Sequence, residues 1–344
     1  VLGISVYLKT FDEKYICQAA ANGANLVFTS LHIPEDDFSK VTTTMARLLS
    51  VCNQYHLTLV PDVSPKTFEV LKLPKNDFTA LHKLGLTALR IDYGFNDWQL
   101  LHQLQSEFTL FLNASTIDQH YLDEAQQNDI DLNKIHAAHN FYPKVETGLS
   151  KEYFTKLNAK YRGTKINLLA FVPGDELKRF PLYQGLPTLE DHRGKNPYVS
   201  AVELIERFNI TDVVIGDPKA KLTTLAAIKL YQDKRIMTVP LITNGLDAAF
   251  FSQDYSVRKD VADKLIRIIA PRTSDIAIQQ TGERPLGTLT QDNLLNGRYS
   301  GELQIAKRDL PFSEKTNILG YIHPEYLDLL QFIDSNTKLR FVKA

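Results

Sequence analysis

Eight short apolar runs, seven of them ending in a polar or reactive residue, follow one another at regular spacing through the first two-thirds of the chain. They are Leu2–Tyr7, Asn25–Ser30, Leu57–Asp62, Ala88–Asp92, Thr109–Asn113, Ile135–His139, Ile166–Val172 and Asp212–Asp217. Segments with helical spacing, such as Phe38–Tyr55 and Phe78–Leu84, separate most of them. Strands alternating with helices specify a parallel sheet, and eight repeats specify that it closes. The expected fold is α/β, a (β/α)₈ TIM barrel. Such a barrel carries its chemistry at the C-terminal ends of the strands, so the last residue of each run is where a site is to be sought.

A length of 344 residues exceeds one compact core. Beyond about Arg235 the pattern changes: Met237–Thr243, Ile266–Pro271, Ile276–Gln280, Arg298–Ile305 and Asn317–Ile322 read as β segments, with one helix at Pro324–Ile333. The expected organisation is a catalytic barrel over 1–234 and a β-rich domain over 235–344, folded as a compact barrel.

The formal charge of −1 gives no electrostatic reason to expect nucleic acid or an anionic membrane as partner. No apolar run approaches the ~18 residues that span a bilayer. Val1–Tyr7 reads as a first strand and not as a signal peptide. A cytoplasmic protein is therefore expected, with Cys17 and Cys52 as structural thiols on the apolar faces of helices.

At the strand ends and in the loops behind them stand Glu35, Asp36, Asp62, Asp92, His139, Asn140, Glu146, Glu190, His192, Arg193 and Asp217. A set this rich in carboxylates suits general acid–base chemistry or attack by a carboxylate. Each member also has a plainer role. Asp36 and Asp37 would cap a helix, Asp217 before Pro218 would shape a turn, and His139 would satisfy a core. Arg90 and Asp92 share one face of the fourth strand, and on the packed inward face an Arg–Asp pair must be bonded. The stretch Pro173–Pro197 has little periodicity and much Gly, Pro, Arg and His. A loop of that length is uncommon unless it is functional, and Lys178, Arg179 and Arg193 on it suit a phosphate. No GxGxxG follows a strand and no HExxH occurs, so neither a cofactor nor a metal is expected.

Particular strings carry more than spacing does. Phe28-Thr29-Ser30-Leu31-His32 with Pro34-Glu35, Arg90-Ile91-Asp92-Tyr93-Gly94-Phe95, Leu112-Asn113-Ala114-Ser115, His139-Asn140-Phe141-Tyr142-Pro143 with Thr147-Gly148-Leu149, and Gly185-Leu186-Pro187-Thr188-Leu189-Glu190 with His192-Arg193 occur in this order. Together they resemble the bacterial 6-phospho-N-acetylmuramidase family. The second domain, with Pro271-Arg272 and Leu294–Glu302, fits the small cyclophilin-like barrel that ends members of that family. The resemblance implies a cytoplasmic glycosidase of cell-wall recycling. Its substrate would be a small phosphorylated disaccharide, 6-phosphorylated MurNAc–GlcNAc, cut at the β-1,4 bond to MurNAc 6-phosphate and GlcNAc. Lys178-Arg179-Phe180-Pro181 departs from the pattern, which has a Gly beside the Arg in many relatives.

Neither the spacing nor the resemblance says which carboxylates form the catalytic pair. By position Asp92, Glu190 and Glu35 are favoured as catalytic, with Asp62 in reserve. His32, Asp62, Asn113, His139, Asn140, Tyr142, Arg179, His192 and Arg193 are expected to contact substrate. Carboxyl groups about 5–5.5 Å apart would retain anomeric configuration, and about 6.5–9.5 Å would invert it. A homodimer is left open. The alternative is a non-catalytic sugar-phosphate binding or regulatory protein on the same scaffold, since fold alone does not fix activity.

Overall fold

The computed structural model describes residues 1–30, 41–91, 97–243, 245–260 and 262–344. Two compact units emerge, Val1–Lys229 and Leu230–Ala344.

In the first unit eight parallel strands close in sequence order: β1 (Leu2–Ser5), β2 (Leu26–Ser30), β3 (Thr58–Val63), β4 (Ala88–Ile91), β5 (Thr109–Asn113), β6 (Ile135–Ala138), β7 (Asn167–Val172) and β8 (Asp212–Ile215). The ring shuts where Leu2, Gly3 and Ile4 pair with Val213, Val214 and Ile215. Helices alternate with the strands: α1 (Glu13–Ala21), α2 (Val41–Gln54), α3 (Pro65–Val70), α4 (Phe78–Lys83), α5 (Trp98–Glu107), α6 (Gln119–Gln127), α7 (Lys151–Asn158), α8 (Pro197–Phe208) and α9 (Leu222–Lys234). Their starts are chemically marked. Asp12, Asp77, Asp97, Asp118, Ser150 and Asn196 each accept a backbone N–H from the first turn through the side chain.

The strands are nearly continuous apolar runs because both faces are covered. The inward face supplies one core of Leu26, Phe28, Val60, Ala88, Phe111, Ala138, Leu169, Phe171 and Val214. Near the C-terminal ends, Phe28, Phe141 and Phe171 meet edge to face, with ring centroids 5.1–6.1 Å apart. Such pairs add about 0.5–1.5 kcal/mol each beyond burial. This aromatic layer floors the mouth.

The second unit is a closed barrel in the order β10–β11–β14–β13–β16–β9–β17, with β12 and β15 as a separate pair. Its strands are β9 (Ile236–Ile242), β10 (Tyr255–Val257), β11 (Leu265–Ile269), β12 (Gly282–Arg284), β13 (Thr288–Asp292), β14 (Leu303–Ala306), β15 (Leu310–Ser313), β16 (Thr316–Ile322) and β17 (Lys338–Lys343). Only β9 and β17 pair in parallel; the other neighbours are antiparallel. Ile276–Gln280, read from the sequence as a strand, is irregular here. Its Gln279 N–H donates to Asn317 Oδ1 and its Ala277 carbonyl accepts from Asn317 Nδ2, so one side chain replaces a ladder. Pro324–Phe332 forms 3₁₀ turns. Among the described residues no helix is long and apolar enough to cross a membrane. Cys17 and Cys52 are free thiols, Cys52 buried and Cys17 only partly so.

Candidate active site

Side chains alternate along a strand, so the inward core residues predict which ends face the mouth. Two residues beyond Val60, Ala88, Phe111 and Ala138 lie Asp62, Arg90, Asn113 and Asn140. The structure joins three of these four. Arg90 Nη1 donates to Asp62 Oδ1 at 2.7 Å and Arg90 Nη2 to Asn140 Oδ1 at 2.5 Å. Asp62 and Arg90 are 6% and 4% exposed, so this ion pair sits almost out of water above the aromatic floor. A buried charge is tolerated there only because its partner is present. Asn113 ends β5 half-buried and accepts from the Ser115 backbone N–H at 3.0 Å.

The seventh loop is tied down on this rim by two carboxylates. Asp217, fully buried just past β8, accepts backbone N–H groups from Gly174 (2.8 Å), Arg179 (2.9 Å) and Leu186 (3.2 Å). Burial pushes its carboxyl above the usual range, and those N–H groups oppose the rise. Gly216 lets the loop close, since a Cβ there would lie 2.2 Å from the Leu186 carbonyl oxygen. Tyr7 hydroxyl donates to the Gly216 carbonyl at 2.6 Å, and the Arg179 guanidinium lies 4.6 Å over the Tyr7 ring.

Glu190 performs the second tie. Both its oxygens meet Arg193, at 2.6 and 2.8 Å, and both accept backbone N–H groups, from Glu146 and Gly148 at 2.8 Å each. The Arg193 guanidinium, seconded by those N–H groups, holds the Glu190 carboxyl at about 2 against the opposing effect of burial. Arg193 also donates to the carbonyls of Tyr142 and Gly185, both at 2.9 Å, so one Glu–Arg unit binds the sixth loop to the seventh. A carboxylate so saturated with donors carries no proton near neutral pH and has no free edge for one. Its geometry is that of a clamp.

The two histidines occupy the layer between strands and helices. His139 is fully buried, its Nε2 donating to Asn158 Oδ1 at 2.8 Å and its ring against Phe154 on α7. Burial pushes it down to about 4, so it is neutral. His192, also fully buried, meets Glu203 on α8 at 3.1 Å and is likewise lowered by burial. Glu203 is held in turn by Lys151 and Arg207, at 2.7 and 2.6 Å. Alternation puts His139, between inward-facing Ala138 and Asn140, on the outer side of the wall, and His192 turns from the seventh loop to α8.

The expected site residues thus divide. Asp62, Asn140 and Arg90 come together, and Asn113 ends the neighbouring strand β5. Glu190, Arg193 and Tyr142 form the loop clamp, Arg179 stacks on Tyr7, and His139 and His192 brace helices. His32, Glu35, Asp36 and Asp92 lie outside the described residues. Sequence reasoning missed Asn158 and Glu203. Glu203, set among Ala201, Val202, Leu204 and Ile205, was the available signal, because a buried charge requires partners. Among the described residues no group of three or more His, Cys, Asp or Glu converges in a way that would hold a metal ion.

A family model described as 6-phospho-N-acetylmuramidase, N-terminal, matches residues 2–230, and its C-terminal counterpart matches 235–342. The chain belongs to the 6-phospho-N-acetylmuramidase family. The family name is that of a glycosidase. A crystal structure of a conserved Enterococcus faecalis protein with an unknown function is 31% identical, with a TM-score of 0.85 over 100% of this chain and 96% of that one. An uncharacterized B. cereus protein is 25% identical, with a TM-score of 0.79 over 99% of each chain. No curated protein matches.

Proposed function

We propose that this protein hydrolyses the β-1,4 bond of 6-phosphorylated MurNAc–GlcNAc, releasing MurNAc 6-phosphate and GlcNAc during cell-wall recycling in the cytoplasm. One observation carries the reading within the family: the Asp62–Arg90–Asn140 group, nearly dry and inward-facing, at the C-terminal rim where barrel enzymes do their chemistry. Asp62 and Arg90 cancel in charge and present a fixed polar wall to the sugar. Asp92 and Glu35 are assigned the acid–base and nucleophile or base roles that glycoside hydrolysis requires. Glu190 is assigned to fixing the loop, since all its acceptor sites are used. Lys178 and Arg179, on the loop that Asp217 organises, are assigned to the phosphate.

Hydrolysis of the phosphorylated disaccharide beside its unphosphorylated twin tests this, in wild type and in Asp92→Asn, Glu35→Gln and Glu190→Gln. Phosphate-dependent turnover lost in the first two supports the reading. Tight binding without turnover in wild type overturns it in favour of a sugar-phosphate binding protein.

A further inference from the structure

We infer that Asn113 and Asn140 form a paired amide-donor subsite that recognises the acetamido carbonyl of the muramic sugar; this rests on the functional reading above. The orientation of both amides is chemically forced. Asn140 Oδ1 faces Arg90 Nη2, and Asn113 Oδ1 faces the Ser115 backbone N–H. A guanidinium and a backbone N–H can only donate, so each asparagine must turn its oxygen to its partner. Each NH₂ is therefore aimed away from the partner, and neither has a hydrogen-bond partner among the described residues. Both side chains are half-buried, at the ends of the neighbouring strands β5 and β6, where Asn113 pairs in register with Ala138.

What such a pair selects follows from its charge and its one-sidedness. It offers donors and no acceptor, so it favours a group that only accepts. Hydroxyls both donate and accept and are not distinguished by it. The charge that Asn140 meets, Arg90, is neutralised by Asp62 at 2.7 Å, so that guanidinium is not free to draw an anion. The phosphate has Lys178 and Arg179 on the seventh loop. Among the neutral acceptor-only groups of the substrate the acetamido carbonyl is the strongest acceptor, well above the ether oxygens, and two N–H groups match its two lone pairs.

Calorimetric binding of MurNAc 6-phosphate, and of the analogue with a hydroxyl in place of the acetamido group, tests this on the full chain. Wild type is expected to prefer the acetylated sugar by about tenfold or more, the effect of about one to two hydrogen bonds. Asn113→Ala should cut that preference about threefold to tenfold while leaving analogue binding within about twofold, and Asn140→Ala should cut it by a similar factor. Among the described residues Asn113→Ala breaks one side-chain bond, that to Ser115, so it decides the matter alone if Asn140→Ala fails to fold. An undiminished preference in a variant that still hydrolyses the disaccharide overturns the subsite and leaves the functional reading standing. Absence of both binding and hydrolysis in wild type overturns the two together.

Discussion

The two barrels bury polar groups in opposite ways. In the first, the interior is apolar from Leu26 to Val214, and charged or titratable side chains enter at its two ends, Asp62 with Arg90 above Phe28, Phe141 and Phe171, and His136 with Asp212 at 2.6 Å below. In the second, one face of β13 and β14 carries Leu289 and Ile305, while the other buries Thr288, Thr290, Asp292, Gln304 and, just before β14, Glu302. Glu302 receives Arg267 through two bonds, at 2.6 and 2.9 Å, as well as Arg272, and Gln304 bridges it to Asp292. The parallel barrel keeps its polar groups at its ends, and substrate can meet those at the C-terminal one. The antiparallel one spends them inside, on each other. Polar burial is thus a sign of function only where some hydrogen-bonding capacity is left over.

The largest expected contrast comes from removing an internal partner. Glu302→Ala removes the buried acceptor of Arg267 and Arg272, leaving Arg267 with Asp260 alone among the described residues, and should destabilise the second unit by about 1.5–3 kcal/mol, read by hydrogen exchange in β13 and β14. The fluorescence of Trp98, the single tryptophan and part of the first unit, should then report little change. Asp62→Asn keeps an acceptor opposite Arg90 and should weigh on activity more than on stability, lowering turnover by about 10²-fold with a smaller loss of stability than Glu302→Ala. Equal loss of stability in both variants would erase the distinction.

Acid should separate the units further. His139 is lowered from its ordinary 6.5 to about 4, so the unfolded chain takes up its proton first. That part of the stability is present above pH 6.5 and is lost as the pH falls toward 4. Asp292 is raised by burial to about 6, and the folded state binds its proton more tightly. Its share is full below 3.8 and is lost as the pH rises through 6. Unfolding between pH 4 and 7 should therefore flatten in opposite senses in His139→Gln and Asp292→Asn. The smallest effect is expected from Glu190→Gln, about 1 kcal/mol, because only the loop clamp is weakened. Turnover near wild type in this variant would fit a clamp; complete loss with the fold intact would restore Glu190 to the chemistry.

Much of this was legible in the residues themselves. The eight runs marked β1 to β8 because parallel strands are apolar on both faces, and seven of those runs ended in polar or reactive residues that drew attention to the rim. Alternation also put Arg90 on the packed face, where a partner was required. That the partner among the described residues is Asp62 was not readable, because the bond joins residues 28 apart in sequence across neighbouring strands. His139 and His192 show the same limit. Each sits beside a mouth residue in the chain, yet the turn of the backbone sends it to Asn158 or Glu203 on a helix.

Sequence by itself determined the repeating units, the change to β structure after the barrel, and the family, since these rest on local periodicity and on strings of consecutive residues. Only the tertiary structure decided that Glu190 bonds Arg193 and the sixth-loop backbone, that His139 and His192 meet Asn158 and Glu203 on helices, and that the amide N–H groups of Asn113 and Asn140 have no partner among the described residues. Those properties depend on which donors and acceptors remain once every buried group has found a partner, and that count closes only when the whole chain has folded.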